Sequence, residues 1–197
     1  EFLHHADTGI GTYTGLDGEA IFEDGVAYRA TAEGTVSQMK PEDGVAFGTV
    51  VAFDSNVPSH TLFGVNSLDE LRHQLEPYVQ ENKNIFYMIK GPQLLCLPET
   101  LSYPFEAASK QREFHYDHVS GSLIAVYCPA YVEGINLPGW HFHFLSGDKS
   151  KGGHVLGLSA DHFTFQINPI SEFSLLLPSN PEFSKLNLCE DLSAKTA

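Results

Sequence analysis

Gly139-Trp140-His141-Phe142-His143-Phe144-Leu145-Ser146-Gly147-Asp148-Lys149-Ser150-Lys151-Gly152-Gly153-His154-Val155-Leu156-Gly157 places three of the chain's ten histidines within fourteen residues, on either side of a turn-rich centre. In a β-strand, side chains two apart share a face, so His141 and His143 project together while Phe142 and Phe144 project the other way. The segment 146–153, with Gly147, Gly152 and Gly153, predicts a reversal that starts a partner strand at His154 and brings a third imidazole to the same face. Three neutral imidazole nitrogens suit Zn2+ and accept other divalent metals, leaving a fourth position for water or substrate. His-x-His alone is more often a partly buried polar face of a strand. The third histidine, and the lack of an acidic partner nearby in sequence, favour a metal. His4, His5, His60, His73, His115, His118 and His162 lack such patterning and read as surface or core residues.

The rest of the chain reads outward from this hairpin as mostly strand. Asp17-Gly18, Asp24-Gly25, Glu33-Gly34 and Asp43-Gly44 supply tight-turn residues and predict a β meander between Gly9 and Phe53. Ser67-Leu68-Asp69-Glu70 fits a capping box, and Leu68, Leu71, Leu75 and Val79 recur at helical spacing, predicting a helix over 68–79. The run 84–90 predicts an interior strand ended by Gly91-Pro92, and the composition of 104–113 predicts a second helix. Strands follow at 122–127, 140–145, 154–158 and 163–167. The expected fold class is therefore α+β: mainly antiparallel β, two packed β units with helices in the middle of the chain. Residues 1–197 read as one compact domain, or as two intimately packed lobes of about 1–95 and 96–197.

A formal net charge of −14 argues against nucleic acid, because no basic run faces a row of phosphates. No apolar run approaches the ~20 residues that span a bilayer. Cys96, Cys128 and Cys189 form no CxxC, which predicts free thiols in a reducing cytoplasm rather than disulfides. No signal peptide is visible, although the chain begins at Glu1. Glu19 follows a turn and opens an apolar strand, a position that on sequence grounds reads as a solvated hairpin carboxylate.

The segments 9–19 (GIGTYTGLDGE), 84–89 (NIFYMI), 134–144 (GINLPGWHFHF) and 152–155 (GGHV) together resemble the zinc-dependent alpha-acetolactate decarboxylase family, in order and spacing through most of the chain. The resemblance implies His141, His143 and His154 as zinc ligands, Glu19 as a carboxylate entering the site, and Glu190 as the candidate for a second one near the C-terminus. It implies conversion of a small 2-hydroxy-3-keto acid, 2-acetolactate, to acetoin and CO2, with zinc as the Lewis acid on the enediolate and no organic cofactor. A homodimer is among the expectations, although nothing in the sequence fixes the oligomeric state. The family carries an active-site arginine after its central strand. Residues 89–99 contain none and the connection is shortened, so the substrate carboxylate would fall to Lys90, Lys110 or Arg112, without the bidentate fork of arginine where a lysine is used. Two other readings stand beside this one: a catalytically altered or non-catalytic relative that keeps the metal, and a three-histidine enzyme of another type, a cupin-like oxygenase or a hydrolase.

Overall fold

The computed structural model describes residues 6–97, 99–102, 113–178, 181 and 183–185. The N-terminal meander forms β1 (Thr8–Tyr13), β2 (Glu19–Glu23), β3 (Val26–Ala30), β4 (Val36–Gln38) and β5 (Val45–Val51). They make a five-stranded sheet in the order β4-β3-β2-β1-β5, in which every pairing is antiparallel. The turns lie where the acidic-glycine pairs predict them: Asp24 and Gly25 both take positive φ between β2 and β3.

A six-stranded antiparallel sheet follows, in the order β12-β11-β10-β7-β13-β6. Its strands are β6 (Ser59–Val65), β7 (Phe86–Leu97), β10 (Val119–Cys128), β11 (Gly139–Ser146), β12 (Gly152–His154) and β13 (Ser159–Ile170). β8 (Glu99–Ser102) and β9 (Glu113–Tyr116) pair as a separate two-stranded sheet, from which Phe114 and Tyr116 pack against the two cores. β7 is interior, between β10 and β13, but it does not stop at Gly91-Pro92. It runs on to Leu97 through shifts of register against both neighbours. Gly91 makes this continuation feasible, because a Cβ there would lie 2.0 Å from the ring of Phe163 on β13. The strand thus carries the six-stranded sheet across residue 95.

One α-helix occurs among the described residues, α1 (Leu68–Val79), with the predicted boundaries. Ser67 Oγ accepts from Glu70 N at 3.1 Å, satisfying one of the donors left open at the helix start, and the Glu70 carboxylate accepts from Asn66 N, one residue before the cap, at 3.0 Å. Leu68, Leu71, Leu75 and Val79 are buried. The first three join Phe142, Phe144, Val155, Phe163 and Phe165 in the core on the outer face of the six-stranded sheet. A second core, with Ile10, Ile21, Met88, Ile124, Val126 and Leu145, fills the space between the two sheets. The layers are therefore sheet, sheet and helix. The second helix expected at 104–113 falls outside the described residues, except for Glu113, which opens β9.

Candidate metal centre

The centre is built on the β11–β12 hairpin. His143 stands directly opposite His154, and Val155 N donates to Phe142 O at 2.9 Å just beyond. Alternation puts Phe142 in the helix-side core and the histidines on the face toward the five-stranded sheet. The three ring centroids lie 4.5, 5.1 and 5.6 Å apart, and one nitrogen from each ring falls within 4.8 Å of the other two. Among the described residues no other group of His, Cys, Asp or Glu is gathered in this way.

The reversal itself differs from its prediction. Gly152 and Gly153 belong to β12 and not to the turn, and the strand expected at 154–158 ends at His154. Gly152 serves close packing: a Cβ there would lie 2.9 Å from Phe144 O and 3.2 Å from Ile21 Cδ1 on β2. The left-handed turn position is filled by Lys149, at φ 58°.

The donor set fits a metal. His143 is fully buried, and its Nδ1 lies 3.2 Å from the carbonyl oxygen of Ala20. A carbonyl only accepts, so Nδ1 carries the proton and Nε2 keeps its lone pair. That Nε2 has no hydrogen-bond partner, an orphaned buried acceptor aimed at the other two rings. His141 Nε2 and His154 Nδ1 are 2.7 Å apart. Burial pushes His141 down to about 4 and His154 down to about 3, the latter helped by the neighbouring His141 and by Arg72. His143 is held well below 6.5 by burial and then by the other two rings. All three imidazoles are neutral at physiological pH, the state in which they ligate.

Glu19 is not a solvated carboxylate. It is 5% exposed, at the start of β2, with Oε2 3.6 Å from His143 Nε2. Burial raises it to about 8, against a weaker lowering by the Thr12 hydroxyl 3.5 Å away. With the metal absent, both Glu19 and His143 are neutral near pH 7, so this contact is not an ion pair. The alternation of β2 carried the signal: Glu19 shares a face with Ile21, which points into the inter-sheet core. No sequence feature marked Ala20, whose contribution is a main-chain carbonyl. Glu190, Lys110 and Arg112 lie outside the described residues. Lys90 is described, and its ammonium pairs with Asp24 at the far end of β2, five residues or roughly 16 Å along the strand from Glu19.

Three imidazoles that could hold a metal, with the carboxyl group of Glu19 beside them, thus lie between the two antiparallel sheets of a mainly β protein. Comparison with known proteins narrows this. The alpha-acetolactate decarboxylase family profile matches residues 1–93 and 99–190. The chain is 34% identical to the alpha-acetolactate decarboxylase of Brevibacillus brevis over 193 residues, covering 93% of this chain and 67% of that protein. It is 32% identical to that of Methanosarcina mazei, covering 95% of this chain and 68% of that protein. The crystal structure of alpha-acetolactate decarboxylase from Bacillus subtilis strain 168 superposes with a TM-score of 0.86 at 27% identity, covering 99% of this chain and 86% of that one. The chain belongs to the alpha-acetolactate decarboxylase family, whose members are carboxy-lyases. The family match breaks at 94–98, within the stretch where the expected arginine is missing.

Proposed function

We propose that this protein decarboxylates 2-acetolactate to acetoin and CO2, using one metal ion, zinc, held by His141, His143 and His154. The observation that carries the reading is the orphaned, buried Nε2 of His143, facing two other neutral imidazoles within 4 Å of a carboxyl group. Bound there, zinc would supply Lewis-acid stabilisation of the negative charge left on the substrate when CO2 departs. The chain's own residues supply the rest. The Ala20 carbonyl holds the His143 tautomer, and burial keeps bulk water from the His143 ring. Glu19, protonated near neutral pH in the metal-free protein, is placed to hand a proton to, or hydrogen-bond, an oxygen or carbon lying beside His143. Because the site takes groups from both sheets, the chain works as one unit. Glu190 stays the candidate for a second acid, and a homodimer stays among the expectations.

The test is direct: zinc-loaded protein is given racemic 2-acetolactate, and acetoin is measured beside a chelated control. Acetoin formation that chelation abolishes supports the reading, and its absence from the loaded protein overturns it. A second reading, a relative that binds metal without this turnover, draws on the paired cations. Arg29 with Asp17, Arg72 with Asp69, Lys83 with Glu76, Lys90 with Asp24 and Lys149 with Glu23 are each matched to an acid.

A further inference from the structure

β2 meets the β11–β12 hairpin at several points along its length. Glu19 faces His143 Nε2, the Ala20 carbonyl accepts a hydrogen bond from His143 Nδ1, and Ile21 packs against Gly152. Glu23 reaches the tip of the hairpin, where its carboxylate pairs with the ammonium of Lys149. Glu23 is 8% exposed, so it sits between the layers and not on the surface. Lys149 also lies over the ring of Tyr28 on β3, 5.5 Å from its centroid. It occupies a left-handed backbone position that favours glycine, in a segment with glycines close on either side. A lysine there carries a backbone cost that glycine would not, against which stand its contacts with Glu23 and Tyr28.

We propose that Lys149 and Glu23 are positioning residues: their ion pair clamps the hairpin tip onto β2 and thereby sets the approach of Glu19 and of the Ala20 carbonyl to the three histidines. Among the described residues, β2 is tied to the six-stranded sheet near its start by the His143–Ala20 hydrogen bond and at its far end by two ion pairs, Glu23 with Lys149 and Asp24 with Lys90. Of these two ion pairs, Asp24–Lys90 reaches β7, and only Glu23–Lys149 ties that end of β2 to the hairpin that carries the histidines.

The inference rests on the metal and decarboxylase reading, and the experiment separates the two. Lys149→Gly relieves the backbone while deleting the clamp, and Lys149→Arg keeps the charge and reach. Zinc affinity of the metal-free protein is measured by competition with a chromophoric chelator, and kcat and KM with 2-acetolactate. Lys149→Gly should lose ~10-fold in zinc affinity and ~10-fold in kcat with KM within about twofold of wild type, and Lys149→Arg should recover both. A double variant, Glu23→Gln with Lys149→Met, removes the penalty of an unpaired buried carboxylate. It should regain thermal stability relative to Lys149→Met alone while zinc affinity and kcat stay low. Wild-type zinc affinity in Lys149→Gly, no recovery in Lys149→Arg, or full recovery of affinity in the double variant would each overturn the clamp. If the wild type makes no acetoin, the decarboxylase reading fails and the zinc-affinity measurements alone decide the clamp.

Discussion

The two sides of the centre are assembled by different physics. The histidines come from one hairpin, where the hydrogen-bonded register of β11 and β12 fixes His143 opposite His154, and strand geometry fixes His141 two residues away. Glu19 comes from the other sheet, more than a hundred residues earlier, and meets His143 because β2 packs across the hairpin. A local ladder is rigid and tolerates little beyond replacement of the ligand itself. A contact between layers depends on every group that sets their spacing, and it can be lost without loss of the ligands.

The sharpest test of that contrast removes a ligand. Wild-type protein should carry about one zinc per chain, and His143→Ala should lose most of it by elemental analysis. Full zinc occupancy in this variant would break the comparison at its root. On the other side, Glu19→Gln keeps size and reach but removes the titrating group. It should keep its zinc and lose at least ~100-fold in acetoin turnover. An equally active variant would return Glu19 to a structural role and leave the histidines as they are.

A smaller effect compares the two sides through pH. In the metal-free protein Glu19 titrates near 8 against 4.5 when unfolded, so between those values the folded state holds a proton that the unfolded state releases. Stability from this group therefore falls as pH rises through that window. His141 and His154 titrate near 4 and 3 against 6.5 when unfolded, so their contribution falls as pH drops below 6.5. His143 acts in the same direction. Thermal melts of the metal-free protein should peak near pH 6.5, with an upper limb that flattens in Glu19→Gln and an acid limb that does not. The smallest effect serves as a control far from the site. Ser67→Ala deletes the α1 cap, and should cost about 1 kcal/mol of stability while zinc content and turnover stay unchanged.

What could be read in advance follows the same division. The boundaries of α1 were legible because Ser67, Glu70 and the leucine spacing are all local signals. The three histidines were legible because strand alternation and one reversal suffice to gather them. The roles of the glycines were not: Gly152 is crowded by Phe144 O across its own hairpin and by Ile21 Cδ1 from another sheet, and nothing near it in sequence announces the second neighbour. The course of β7 past Gly91-Pro92 was hidden for a like reason, since Phe163 on β13 fills the space a side chain would need.

The sequence by itself thus determined the strand-rich fold, the capped helix and the gathering of the three histidines, which rest on periodicity and short spacings, and, through its resemblance, the family. Tertiary structure decided that Glu19 is buried and proton-bearing, that Ala20 fixes the tautomer of His143, and that Lys90 is committed to Asp24. These depend on which layers meet and on how much water they exclude. Desolvation and hydrogen bonding act through space between residues far apart in the chain, so only the packed protein settles them.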